Sequence, residues 1–577
     1  MTKPVHTDAP IGGAMLPAVL LAALACALFS LCGSLFVAYF LYEHPELGPL
    51  NIGIGVRIAG FATIALLLHG ILRRLPQEAP VDFPTPPLMT RRDTLIGAVV
   101  LAVLVCTLFL PRLDVYPWAA PDEVHHLTVA KNIAVRGAYA SGHPDEGLDY
   151  FDTYDSVGGP VLLPVAGAFQ VFGVGLGVAR GVMVLFFLML LGACACFMTP
   201  ITGGRGAVLP SILLCVSFSS IYLARTLYGE APALMYFVLG LLAWRRSMHG
   251  TRAWVFGVLA GILFALAVLS KTLLVLTVFC FATAWIWDLR HGCKIGAPQI
   301  LGTAAGGGAV LLCWWIFEML SQGDLSDNAG DTAGIYYHYL FFGVEPVWDN
   351  LKYAVLPYWL AHVAYAAGWG WLMVRTLRRG DDPALLVLLL AAALYFYWWL
   401  FFTPGQLARY LWTSYAVCSL GVGALLHHLL TAVRWKDMET HSDQYNAPTS
   451  PLIPLRRGTK GNVGLRIGAI LLLLAPFAHW AMGQYTELYT KDEMTAEYAI
   501  AEELRAYPAT VSVQTTFEPL VGSMNFLANR AIDGPQDAAP GPTGYDVIVS
   551  LNEDAPPMGD YRPRRFGRYT LHERTGQ

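Results

Sequence analysis

Long apolar runs alternate with short polar ones along most of the chain. The first run extends from Ile11 to about Tyr42. It exceeds the apolar region of a cleaved signal peptide, and a second run follows at once, so it is expected to stay as a signal anchor. Read onward, the pattern predicts about thirteen membrane-spanning helices. They fall at approximately 12–42, 50–72, 93–111, 175–198, 207–223, 231–246, 253–269, 271–288, 298–318, 353–376, 383–402, 408–430 and 465–482. Several are shorter than a full crossing. Backbone polar groups in lipid must bond within their own segment, so these runs are expected as helices.

Basic residues give the runs a direction. Arg73, Arg74, Arg91 and Arg92 flank one loop, and Arg205 lies in the next loop of the same parity. Arg245, Arg246 and Arg252 follow, then Arg290 and Lys294, then Arg375, Arg378 and Arg379. The last basic loop, 431–464, carries Arg434, Lys436, Arg456, Arg457 and Lys460. Cytoplasmic loops are enriched in Lys and Arg, so the alternation predicts a cytoplasmic N-terminus and a C-terminus on the outer side.

The larger polar segments have the opposite parity: 112–174, 319–352 and the tail from about 483 to 577. The tail reads as a small α/β unit. Ala509–Gln514 and Tyr545–Leu551 have the pattern of buried strands, and a helix is expected over about Lys491–Tyr507. The division is therefore two additional helices and a cytoplasmic loop over 1–92, a membrane domain over 93–482, and an outer α/β domain over 483–577. No internal repeat is evident.

Composition sharpens this picture. Of the 577 residues 55% are hydrophobic and only 14% charged, well below a soluble protein of this size. The net charge of −4 gives no footprint for nucleic acid. The cysteines lie in apolar runs or in short loops on the predicted inner side, with no CxxC pair, so neither a disulfide framework nor a cysteine metal site is expected.

The chemistry gathers in 112–174. From Asp122 to Arg136, Val124, Leu127, Ala130, Ile133 and Ala134 share one helical face, as on a helix lying at a membrane surface. Pro121 suits its start, and Asp122 and Glu123 would favour its positive end, so helix capping alone could explain the acidic pair. A second amphipathic stretch runs from Gly159 to Phe172. Three more passages sit at the outer boundary: Arg225-Thr-Leu-Tyr-Gly-Glu230, Ser270-Lys271 and Gln406-Leu-Ala-Arg409-Tyr410. Snorkelling would account for Lys271 and Arg225, and pairing with a carboxylate for Arg409. An ion pair with Arg225 would account for Glu230. Adjacent His125 and His126 face different directions and make a poor metal pair. Asp324, Asp327, Asn328 and Asp331 miss the spacing of a calcium loop. His338 and Glu345, among Tyr336, Tyr337, Tyr339 and Trp348, suit a sugar or lipid groove, and interfacial anchoring explains the aromatics equally well.

Pro121-Asp122-Glu123 leading an amphipathic helix in the first large outer loop resembles the GT-C glycosyltransferases. The likeness is to the dolichyl-phosphate-mannose–protein mannosyltransferase group and the bacterial lipid A aminoarabinose transferase. The Arg225–Glu230, Gly257–Lys271 and Gln406–Tyr410 passages agree in order and side, and the match covers roughly 93–482. One departure concerns a Glu-Lys-Pro run, where this chain reads Asp155-Ser156-Val-Gly-Gly159-Pro160 and lacks the lysine.

The resemblance implies a helical membrane bundle that transfers a sugar, with inversion, from a polyprenyl-phosphate donor to a glycan, lipid or protein acceptor. That would occur on the periplasmic face of a bacterial inner membrane. It implies Asp122 as general base with Glu123 as the alternative, and Arg225, Lys271 and Arg409 as donor-phosphate cations. Glu230, Tyr410, His338 and Glu345 become substrate-binding candidates. No cofactor is required, and a divalent metal is left open. A transporter or flippase of a lipid-linked sugar is the rival class. It should carry midplane charges and inverted halves, whereas here the charges sit at one boundary.

Overall fold

A computed structural model describes residues 12–43, 52–74, 90–142, 148–150, 157–248, 252–291, 294–322, 345–380, 382–403, 408–439, 461–490, 494–507, 511–515, 526–528, 547–551, 561–566 and 569–574. The helices are α1 (Gly12–Glu43), α2 (Ile52–Arg74), α3 (Arg91–Leu108), α4 (Pro121–Arg136), α5 (Gly159–Phe172), α6 (Leu176–Gly206), α7 (Val208–Cys215), α8 (Ser220–Arg225), α9 (Glu230–Ser247), α10 (Ala253–Ser270), α11 (Thr277–His291), α12 (Ala297–Gln322), α13 (Glu345–Asn350), α14 (Trp359–Arg379), α15 (Pro383–Phe402), α16 (Trp412–Glu439), α17 (Gly461–Thr490) and α18 (Thr495–Ala506). Short 3₁₀ turns, Thr272–Leu276 and Ala408–Leu411, precede α11 and α16.

Each expected span carries helix, but only nine described helices are long and apolar enough to cross a membrane. The remaining four depart for local reasons. The apolar part of α3 is short, Thr94–Leu108. The 207–223 run is divided into α7 and α8, with Ser219 at a φ of 55° between them. In α9, Glu230, Arg245 and Arg246 occupy the ends of an 18-residue helix. In α14, Trp, Tyr, Gly and His residues dilute the apolar character.

The bundle is organised by burial. The apolar stretches of α15 and α16 are each 72% buried, whereas those of α2 and α12 are 11% buried and form the rim. Trp398, Trp399 and Trp412 fill the centre. Glycine sets the closest helix pair. A Cβ at Gly261 would stand 2.0 Å from the Thr303 carbonyl oxygen, and one at Gly306 would stand 2.1 Å from that of Val258. Neither contact has room for a side chain, so the α10 and α12 backbones touch directly.

The C-terminal sheet is real and larger than the sequence pattern indicates. Its strands are β3 (Val513–Thr515), β4 (Val547–Leu551), β5 (Tyr561–Phe566) and β6 (Tyr569–Arg574), in the order β3-β4-β6-β5. The pair β3-β4 is parallel and the other neighbours are antiparallel. A small antiparallel pair, β1 (Ala140–Ser141) and β2 (Asp149–Tyr150), follows α4. Pro563 and five arginines obscure the β5-β6 hairpin in the sequence. Proline is tolerated because β5 is an edge strand. Tyr569 and Leu571 are fully buried, and Arg564 is drawn out of the way by Glu503 on α18.

The surface helix also differs from expectation. Val124, Leu127 and Ala130 are buried, as the periodicity requires, but so are Glu123, His126, Lys131 and Asn132 on other faces. Glu123 is covered by Arg180 of α6 and Asn132 by the Ala140 and Gly142 carbonyls, while Lys131 meets the C-terminal segment. The Ala119 amide lies 3.4 Å from Met494 Sδ, and the Lys131 ammonium is 5.8 Å from the Phe526 ring. Helix α4 thus packs on α5 and β1 and touches the tail at Lys131.

Candidate functional site

The start of α4 places two adjacent carboxylates on separate paths. Ala120 is extended and has no capping side chain, Pro121 occupies the first turn, and Asp122 and Glu123 follow at the positive end of the helix. Glu123 turns inward. Its two oxygens receive Arg180 Nε at 3.1 Å and Nη2 at 2.8 Å, and both side chains are fully buried. Arg180 also donates to the Leu113 carbonyl, and the Leu227 amide donates to Glu123. Glu123 therefore ties α4 to α6, to the loop before α4 and to the α8–α9 turn.

Asp122 turns outward. Its Oδ2 accepts from Arg409 Nη2 at 2.6 Å, and its side chain is 52% exposed against 18% for Arg409. Partial burial alone would raise the Asp122 pKa. The Arg409 guanidinium, with smaller help from His126 and Lys271, outweighs that and holds the carboxyl below its ordinary range. Arg409 lies 4.7 Å from the Tyr228 ring and 5.0 Å from that of Tyr410. Its Nε is buried with no hydrogen-bond partner among the described residues.

A second ion pair adjoins the first. Lys271 Nζ is 3.3 Å from Glu230 Oε1, donates to the Tyr228 carbonyl at 3.1 Å, and stands 5.5 Å from the Tyr410 ring. Helix geometry brings the pair together, since Glu230 opens α9 and Lys271 follows the last turn of α10. Gly229 makes that approach possible. Its φ is +83°, and a Cβ there would lie 2.3 Å from the Ser270 carbonyl oxygen. A small cleft, with room for about one water molecule, is lined by Glu230, Lys271, Leu274, Tyr395, Tyr410 and Thr413. The buried Tyr395 hydroxyl has no hydrogen-bond partner among the described residues.

The structure thus brings Asp122, Glu230, Lys271, Arg409 and Tyr410 together, and adds Tyr228 and Tyr395. Arg225 contacts other groups. It is fully buried, donates to the Pro111 carbonyl and lies 5.7 Å from the Tyr116 ring. The ion pair expected between Glu230 and Arg225 is replaced by Glu230 with Lys271, because α8 ends before Thr226 and Gly229 turns the chain toward Ser270. His338, Gln406 and the acidic 324–331 segment lie outside the described residues. Glu345 begins α13, but its side chain lies outside them too. Among the described residues no cluster of three metal-binding side chains occurs.

Arg180, Tyr228 and Tyr395 were not selected from the sequence. Arg180 had a usable signal, being a charge close to the start of a long apolar run, where an ionisable residue needs a partner. Tyr228 lies inside the Arg225–Glu230 passage. Tyr395, in an apolar helix rich in aromatics, gave none.

No protein-family model matches the chain, and no curated protein does. Solved structures do. ArnT from Cupriavidus metallidurans in the apo state superposes with a TM-score of 0.54 at 13% identity, over 83% of this chain and 97% of that one. The same protein bound to undecaprenyl phosphate gives 0.53 with the same identity and coverage. The fold is that of the GT-C glycosyltransferases. The archaeal oligosaccharyltransferase AglB from Archaeoglobus fulgidus, in complex with an inhibitory peptide and a dolichol-phosphate, matches at 0.49 and 13% identity, over 79% of this chain and 69% of its own. At 13% identity the likeness to ArnT describes architecture, a polytopic helical membrane bundle, and the chemistry must come from the side chains.

Proposed function

We propose that this chain is an inverting glycosyltransferase, which moves a sugar from a polyprenyl-phosphate donor to a glycan, lipid or protein acceptor. It would act on the outer, periplasmic face of a bacterial inner membrane, with the N-terminus inside and the C-terminus outside. The observation that carries this reading is the meeting of Asp122, Arg409, Lys271 and Glu230 around Tyr228 and Tyr410 in a GT-C fold. The undecaprenyl phosphate bound by ArnT supports the choice of donor class. The alternation of basic loops supports the sidedness.

In this reading the acceptor hydroxyl attacks the anomeric carbon and gives its proton to Asp122. The bond from that carbon to the phosphate oxygen breaks on the opposite face, and the configuration inverts. Arg409 and Lys271 hold the phosphate as charge builds on it. Glu230, Tyr395 and Thr413 line the adjoining cleft and meet sugar hydroxyls. Glu123 and Arg225 are structural.

The test uses sealed membrane vesicles of known orientation, a radiolabelled polyprenyl-phosphate sugar and an envelope extract as acceptor source. Label should move to a water-extractable or protein-linked product, dependent on this chain, with the reacting face on the outer side. Appearance of intact lipid-linked sugar on the opposite leaflet, with no transfer, would replace the enzyme by a flippase.

A further inference from the structure

Arg409 is asked to do two things that compete. It makes a short contact to Asp122, and it is one of two cations that the donor phosphate would use. We infer that Arg409 serves these anions in turn: it masks the base while the donor site is empty, and the phosphate takes it over and releases Asp122. The inference rests on the glycosyltransferase reading above and adds an order of events, donor before catalysis.

The geometry says which partner moves. The guanidinium is held between the Tyr228 and Tyr410 rings and is mostly buried, while Asp122 is half exposed on the first turn of α4. The Asp122 carboxylate can leave by a side-chain rotation, whereas Arg409 would have to leave an aromatic slot. The slot has spare capacity, because Arg409 Nε is buried with no hydrogen-bond partner among the described residues.

Competition favours the phosphate. Asp122 engages Arg409 through one short contact. A phosphate offers two or more oxygens to the planar guanidinium fork, and bidentate contacts of this kind are the stronger ones. It also gains Lys271, which faces the same Tyr410 ring. The cycle then resets without a further component. During transfer Asp122 gains the acceptor proton and, being neutral, no longer competes for Arg409. The product lipid phosphate departs, Asp122 gives up its proton to water, and the pair re-forms. An empty enzyme consequently holds no free base.

The experiment uses the purified full-length chain, undecaprenyl phosphate as the probe, and a water-soluble carbodiimide that reacts with protonated carboxyls. Asp122 is followed by peptide mass spectrometry at about pH 6. The lipid should speed its labelling by about tenfold, the change that a one-unit rise in its pKa delivers, because Asp122 loses Arg409 and gains a neighbouring anion while His126 and Lys271 stay. In Arg409→Gln labelling should be fast with or without lipid. Since a bound lipid could shield Asp122 from the reagent, the carboxylate stretch of ¹³C-aspartate is read in parallel. It should shift on lipid binding in the native chain and not in Asp122→Asn. Lipid bound, as seen by native mass spectrometry, with both signals unchanged overturns the exchange and leaves the glycosyltransferase reading standing. Lipid that does not bind at all overturns both.

Discussion

Asp122 and Glu123 are neighbours of the same chemical kind, each paired with an arginine, and the two pairs differ in nearly every physical respect. Glu123 and Arg180 are fully buried, joined by two hydrogen bonds, and saturated by Leu113 and Leu227. Asp122 and Arg409 share one short contact at the edge of the fold, beside the Lys271–Glu230 pair and a small cleft. A saturated buried pair has no capacity left for a substrate, and removing one partner strands a charge in a low-dielectric interior. An exposed carboxylate beside spare donors can change partners at little cost. The difference teaches that exposure and unused hydrogen-bonding capacity, more than residue type, separate the catalytic candidate from the anchor.

The largest expected effect lies with the buried pair. Arg180→Ala should destabilise the fold by about 3–5 kcal/mol, the range for breaking a buried ion pair, seen as loss of folded material in detergent and a lowered Tm. A variant that folds as well as the native chain would show that the pair is not the anchor it resembles. Next come the two cations at the open site, Arg409 and Lys271. Arg409→Ala and Lys271→Ala should each weaken binding of a polyprenyl-phosphate donor by about 1.5–3 kcal/mol. The thermal midpoint should change little in Arg409→Ala, whose partner Asp122 is half exposed, and fall in Lys271→Ala, which strands the buried Glu230 carboxylate. Unchanged donor affinity in both would move phosphate recognition elsewhere.

The smallest effect is on pH dependence. In the donor-free chain the Asp122 carboxyl is held below its ordinary value, so the acid limb of kcat/KM, which reports the free enzyme, should lie at an unusually low pH. The stabilisation from its pair is complete above about pH 4, the unfolded aspartate value, and is lost as pH falls through the depressed one. In Arg409→Gln the burial that raises the pKa is less opposed, so the acid limb of the residual rate should move upward. An acid limb that does not respond to Arg409 would separate Asp122 from the titrating group.

Much of this was legible in the sequence. Apolar runs long enough to span lipid marked the helices, because membrane burial writes itself into composition. The weak cases, such as the division of 207–223 into α7 and α8, failed where a Ser-rich turn breaks a run without adding charge. Asp122, Lys271, Arg409, Glu230 and Tyr410 were selected from boundary passages, and the fold joins them. What was not legible depended on distant partners. The burial of Glu123 needs Arg180, 57 residues away along the chain. The burial of Asn132 needs the Ala140 and Gly142 carbonyls and the cover on Lys131 needs Phe526, and no periodicity within α4 could announce either. The β5-β6 hairpin was hidden because its edge strand tolerates Pro563 and turns its arginines outward.

The most direct test of the account substitutes the two neighbours with their amides and measures sugar transfer from a polyprenyl-phosphate donor. Asp122→Asn keeps shape, and Asn caps a helix about as well as Asp, so a helix-capping role would survive the change. A general base would not, and its removal costs about 10²–10⁴-fold in rate. The account predicts that transfer collapses in Asp122→Asn while expression and thermal midpoint hold, and that Glu123→Gln instead lowers the midpoint. Near-native transfer by Asp122→Asn, in a chain that still binds donor, would contradict it.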